Sequence, residues 1–125
     1  MTNSSGQAQA IAQAYINAIA NKDIDMIVSI SAEDVICNAP VGNLQGVERF
    51  RGFHEGFARM IVKITALAVF GNDDQAVVIY EAETHPVPHS TVAEYIKVKD
   101  GKIISTDVIY DSVPFAEYQK TKAPH

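Results

Sequence analysis

The chain has 125 residues, 47% apolar and 20% charged, with ten basic against fifteen acidic side chains for a formal charge of -5. One domain fits that length, the apolar fraction excludes disorder over most of it, and the acidic balance excludes an electrostatic footprint for nucleic acid or anionic lipid. The single cysteine, Cys37, excludes an internal disulfide and a self-contained cysteine-based zinc site, and no apolar run approaches the roughly 20 residues of a membrane helix. The N-terminus, MTNSSGQAQA, lacks a signal-peptide pattern. The expectation is one cytoplasmic domain over residues 1–125, with loose ends at 1–6 and 120–125.

Residues 7–20 predict a helix, because Ala8, Ile11, Ala12, Tyr15, Ala18 and Ile19 fall on one stripe. Asp23 is a good N-cap for a short second helix over Ile24–Ile30. Val35–Ala39 reads as a short strand stopped by Pro40 and Gly42. Gly46 opens a third helix with the stripe Val47, Phe50, His54, Phe57 and Ile61, Phe53 adjoining it. The period then changes from 3.6 to 2. Lys63–Phe70, Gln75–Thr84, Ser90–Lys99 and Lys102–Asp111 predict four strands, and Asp100-Gly101 is the strongest hairpin signal. Ser112–Gln119 fits either a last helical turn or a trailing strand. This order is an α+β pattern: three helices over the concave face of a curved, mostly antiparallel sheet, with an apolar cone between them.

The chemistry depends on which polar groups point into that cone. Tyr15 and His54 lie on apolar helical stripes, and each also fits a core residue with a satisfied hydrogen bond. Glu94 is more informative. Alternation in Thr91-Val-Ala-Glu-Tyr-Ile-Lys-Val98 sets Val92, Glu94, Ile96 and Val98 on one face, and Ala93, Tyr95 and Lys97 on the other. A carboxyl in register with branched aliphatics is aimed at the core, either to bond a helix end or to do chemistry. Desolvation there raises its pKa, and beside a phenol it would form a pair of neutral donors for a carbonyl oxygen.

Ala14-Tyr-Ile-Asn-Ala-Ile19, Asn21-Lys-Asp-Ile-Asp25, Ala39-Pro-Val-Gly42, Gly46-Val-Glu-Arg-Phe50 and Ala93-Glu-Tyr-Ile-Lys-Val-Lys-Asp-Gly-Lys-Ile103 follow one another in an order and spacing that carry a resemblance. From about Ala8 to Asp111 the chain resembles the nuclear-transport-factor-2-like superfamily, in particular its ketosteroid-isomerase and SnoaL-like polyketide-cyclase branch. The resemblance implies a cone-shaped sheet with three helices and no cofactor. It matches Tyr15 to the isomerase's oxyanion-hole tyrosine, Glu94 to its protonated aspartic acid, His54 to a tyrosine supporting the first, and Phe53 to a pocket-wall aromatic. Ala39 stands where the isomerase keeps its base aspartate, and a methyl group shuttles no proton. Authentic steroid isomerisation is therefore not expected.

Among substitute bases, His54 is the best placed, since an imidazole titrates near neutrality. Cys37 shares the face of Ala39, but an apolar pocket keeps it a thiol. Asp107 and Asp111 point outward if Thr106, Val108 and Tyr110 point inward, and Asp111 reads as a cap or turn former. The facing of Glu81 and Glu83 stays open. Arg49, Arg51 and Arg59 all fall on the third helix, against the arginine–aspartate chemistry of limonene-epoxide-hydrolase relatives. His85 and His89 flank a Pro-Val-Pro turn without an acidic or thiol partner, so no metal site is expected. The reading is a cofactor-independent isomerase or cyclase on a small hydrophobic carbonyl compound, with Tyr15, Glu94 and His54 catalytic. Ala39, Cys37, Phe53, Phe57 and Tyr110 would line its pocket. The alternative is a non-catalytic ligand-binding or dimerisation module. In either case a homodimer is expected, since Ala93, Tyr95 and Ile109 make the outer sheet face apolar.

Overall fold

Four helices and six strands make up most of residues 6–122, which the computed structural model describes. Helix α1 (Gln7–Asn21) buries Ala8, Ala12, Tyr15, Ile16, Ala18 and Ile19. The N–H groups of Ala8 and Gln9 at its start donate to the carbonyl of Asn72. Its end turns at Lys22, in the left-handed region at φ 58°, and the Asp23 N–H donates back to the Ala18 carbonyl at 2.8 Å. The Asp23 carboxylate then caps α2 (Ile24–Ser29) by accepting from the Met26 N–H at 3.1 Å.

Strand β1 (Ser31–Ala39) begins four residues before the predicted Val35, because its polar first half is held by the neighbouring backbone rather than by apolar alternation. Strand β2 (Gly42–Gln45), which the sequence pattern did not predict, pairs antiparallel with β1. Amide side chains tie it on. Asn43 donates to Asn38, whose own amide donates to Asp107 at 2.8 Å. Helix α3 (Val47–Met60) buries Phe50 and His54 and runs straight into β3 (Ile61–Gly71), so Ile61 opens a strand instead of ending the helical stripe.

In β4 (Gln75–Thr84) alternation buries Ala76, Val78, Tyr80, Ala82 and Thr84, which settles Glu81 and Glu83 on the outer face. Strands β5 (Ser90–Lys99) and β6 (Lys102–Ile109) are joined at Asp100 and Gly101, with φ 53° and 74°. Two consecutive positive φ values are what a two-residue hairpin turn requires. Helix α4 (Val113–Lys122) follows, its first turn held by the Asp111 carboxylate accepting from the Val113 N–H at 3.0 Å. Three helices were predicted and four are present; the last was ambiguous because its apolar residues form no single stripe. Residues 120–122, expected to be loose, close this helix. Positions 1–5 and 123–125 of the expected loose ends lie outside the described residues.

The sheet order is β2-β1-β6-β5-β4-β3, with only β1 and β6 parallel. Helix α1 packs over β3, β4 and β5, while α2 and α3 pack toward β1. The fold is α+β, with the inner residues of the sheet and the helical stripes forming one apolar core.

Candidate functional site

The α1 stripe, the α3 stripe and the inner faces of three strands converge on one carboxyl. Glu94, on the inner face of β5, is 1% exposed. Its Oε1 accepts from the Tyr15 hydroxyl at 2.6 Å and from the Thr106 hydroxyl at 2.9 Å. Its Oε2 accepts from the Tyr80 hydroxyl at 2.7 Å. Tyr15 also lies 2.9 Å from Nε2 of His54. Since the Tyr15 hydrogen is used on Glu94, the His54 Nε2 carries a hydrogen and donates it to the Tyr15 oxygen. Register places the strand members side by side: Glu94 opposes Val78 and Val108, with Tyr80 and Thr106 two positions along the neighbouring strands. The His54 ring is clamped edge-on by Phe50 and Phe53, with centroids 4.7 and 5.3 Å away.

Burial dominates the electrostatics. It lowers His54 from 6.5 to about 3, so the imidazole is neutral. The phenols of Tyr15 and Tyr80 are pushed up by burial and by the nearby Glu94 charge, which keeps them protonated. Glu94 itself is raised by desolvation against the three hydroxyls, whose hydrogen bonds favour its anion. Cys37, on β1 beside Thr106, is pushed up to about 12 by burial.

Next to this network lies a cavity of about 600 Å³, within the range of small-molecule sites. Helix α3 contributes Gly52, Phe53, Gly56, Phe57 and Met60; the sheet contributes Tyr80, Ala82, Ser90, Val92 and Val108. Pro40, Val41 and Tyr110 close one side, and Ser112, Phe115, Ala116 and Gln119 reach it from the α4 end. Phe115 packs edge-on against Tyr110, with centroids 5.4 Å apart. Among the described residues, no acidic, basic or histidine side chain lines this cavity. Nor is any group of three His, Cys, Asp or Glu side chains placed to hold a metal ion.

The residues singled out from sequence therefore divide into two groups. Tyr15, Glu94 and His54 are brought together, but beneath the cavity wall rather than on it. Phe53, Phe57 and Tyr110 line the cavity. Cys37 and Ala39 belong to the core packing instead: Cys37 is fully buried, and the wall beside Ala39 is made by the next residues, Pro40 and Val41. The chain turns from β1 into β2 there, which carries Ala39 away from the lining. His89, on the exposed turn and expected to have no acidic partner, has the Glu81 carboxylate 3.1 Å from its Nδ1, because alternation sets Glu81 on the outer face beside the turn.

Sequence reasoning missed two members of the network, Thr106 and, with more consequence, Tyr80. Tyr80 belongs to both the network and the wall, and the alternation Ala76, Val78, Tyr80, Ala82 would have pointed it inward. Gly52 and Gly56 were also overlooked, though two glycines one turn apart inside a helix are a visible signal. A Cβ at Gly52 would meet nothing within 4 Å, and one at Gly56 only the tip of Arg59 at 3.8 Å.

Residues 12–106 match the model of the SnoaL-like domain family. A solved protein from Kribbella flavida is 36% identical, with a TM-score of 0.89 over 94% of this chain and 98% of that one. A candidate ketosteroid isomerase from the same organism is 15% identical, with a TM-score of 0.77 over 86% of this chain and 79% of that one. A candidate polyketide cyclase from Sinorhizobium meliloti is 20% identical, with a TM-score of 0.72 over 80% and 94% of the two chains. No curated protein matches the sequence significantly. No helix among the described residues is long and apolar enough to cross a membrane.

Proposed function

The chain belongs to the SnoaL-like domain family, and we propose that it acts, without a cofactor, on a small apolar carbonyl compound in a reaction of the isomerase or cyclase type. The observation that carries this reading is the meeting of an apolar cavity with a buried hydroxyl–carboxyl network at one residue, Tyr80. A ligand in the cavity would bury its hydrocarbon against Phe53, Phe57, Val92 and Val108 and place its oxygen toward that phenol. A preorganised donor in a dry site stabilises the negative charge that builds on a carbonyl oxygen as an adjacent C–H bond breaks. Glu94, Tyr15 and His54 would then be positioning residues, fixing the Tyr80 hydroxyl from behind.

One observation favours the second reading, a ligand-binding module without catalysis: the described lining holds no conventional base. Proton exchange separates the two. The probe is 2-acetonaphthone, whose α-protons are followed by NMR in heavy water. The enzyme reading expects exchange faster than buffer, reduced at least tenfold by Tyr80→Phe. Saturable binding without exchange supports the module, and absence of binding overturns both.

The same reading includes a homodimer. On the outer sheet face Ile109, Ala93, Ile79 and Ala68 stand opposite one another across four strands, with Tyr95, Val77 and Phe70 in the next row. Ile109 is 60% and Phe70 67% exposed. A second copy of the chain would cover this row, as a self-complementary surface allows.

A further inference from the structure

Helix α4 is built unlike the other long helices. Helix α1 buries a full stripe and α3 buries Phe50 and His54, whereas none of residues 113–121 is buried and Val113 is 59% exposed. Among the described residues, the apolar core and the side chains packed against it end at Tyr110. The hydrogen bonds that shape α4 are local. The Asp111 carboxylate accepts from the Val113 N–H, the Ser112 carbonyl from the Ala116 N–H, and the Tyr118 carbonyl from the Thr121 hydroxyl. Residues 110–112, which belong to neither element, join the helix to β6.

The side that α4 turns inward meets the cavity. Ser112, Phe115, Ala116 and Gln119 line it, and their spacing of i, i+3, i+4 and i+7 is one face of a helix. That face is apolar in the middle and polar at both ends, so no hydrophobic stripe marks it. Phe115 rests edge-on against Tyr110, itself a lining residue. A helix of ten residues is marginal in water on its own propensity, so its order depends on what it docks against. A segment with few buried apolar contacts also opens at a lower free energy than the core.

We propose that α4 is a hinged cover and a part of the ligand site: it swings at residues 110–112 to admit an apolar ligand, then docks on that ligand through Phe115 and Ala116. This rests on the reading of the cavity as the ligand site. A bound ligand adds apolar surface against the inward face of the helix. Because it touches α4 only in the docked form, it shifts the helix toward that form by the free energy of those contacts. Phe115 is then a specificity-determining residue carried by a moving element, while the walls from α3 and the sheet stay fixed.

The test is hydrogen–deuterium exchange of the full chain, read by mass spectrometry with and without saturating 2-acetonaphthone. Without the probe, amides of residues 116–122 should exchange roughly a hundredfold faster than those of α1 and β4. With the probe they should slow roughly tenfold, and those of β4 should not change. Phe115→Ala should bind the probe more weakly and, at saturation, gain no such protection, with the circular dichroism of wild type. Glu117→Ala, on the exposed face, should gain the same protection as wild type. Helix α4 amides as slow as those of α1 without the probe would make the helix a fixed wall and overturn the proposal. A bound probe that leaves α4 exchange unchanged also overturns it, as does full protection retained by Phe115→Ala, and in each case with the probe bound the ligand site stands. If the probe does not bind, the ligand-site reading falls and this inference falls with it.

Discussion

Replacing His54 by glutamine should remove a defined part of the protein's acid sensitivity. His54 is 2% exposed, boxed by Phe50 and Phe53, and donates to the Tyr15 oxygen. Burial takes it from 6.5 to about 3. Between those limits the unfolded chain binds a proton that the folded chain refuses, so stability rises with pH and is lost as pH falls from 6.5 toward 3. At about 1.4 kcal/mol per unit, the full drop is worth up to about 5 kcal/mol. Glu94 works in the opposite sense. Its folded pKa is raised above 4.5, so its contribution is present at low pH and lost as pH rises through the raised value. Both proteins keep Glu94, so the wild-type-minus-variant difference cancels that opposing slope. Glutamine retains an N–H for the Tyr15 oxygen and has no charge to gain. Urea unfolding followed by circular dichroism at pH 6.5 and 4.5 should show wild type losing about 2–3 kcal/mol more than His54→Gln. Equal losses in the two proteins would refute the argument, as would a His54 imidazole resonance that titrates near 6.5.

Other outcomes follow from the same geometry. Glu94→Leu strands three buried hydroxyls and should cost at least about 3 kcal/mol in urea unfolding, while Glu94→Gln should cost less than half of that. Gly52→Ala should raise the melting free energy by about 1 kcal/mol, because its Cβ meets nothing in the fold. At Gly56, a leucine should weaken 2-acetonaphthone binding at least tenfold by filling the cavity, with the fold retained by circular dichroism. The proposed homodimer predicts that wild type sediments as a dimer and Ile109→Lys as a monomer, because the substitution sets a charge in the outer apolar row.

What was legible in the sequence was what periodicity records. Val92, Glu94, Ile96 and Val98 alternate strictly, and Glu94 is buried on the face that alternation assigns. The stripes of α1 and α3 placed Tyr15 and His54 inward, where they meet Glu94. Strand β2 was not legible, because Gly42-Asn-Leu-Gln45 is held by amide side chains and an edge pairing that leave no apolar pattern. Helix α4 was ambiguous for the related reason that it presents no single stripe to a core. Convergence across the sheet is also invisible to local pattern: the pairing of Tyr80 and Thr106 with one carboxyl depends on the register of β4, β5 and β6. That is why Tyr80 and Thr106 stayed outside a reading that found Tyr15, His54 and Glu94.

The glycines of α3 give an independent reason to regard the cavity as functional. A helix-interior glycine costs about 1 kcal/mol relative to alanine, and Gly52 and Gly56 stand one turn apart on the wall. Close packing does not require them, since added Cβ atoms would meet nothing at Gly52 and only a flexible arginine tip at Gly56. Neither takes the positive φ that would make glycine necessary. Local stability and backbone geometry would both accept alanine, so what the two positions retain is empty volume at the cavity wall. A stability deficit placed where it enlarges a cavity supports the proposed ligand site. On the proposed ligand site, α3 would set the breadth of ligand that the cavity admits.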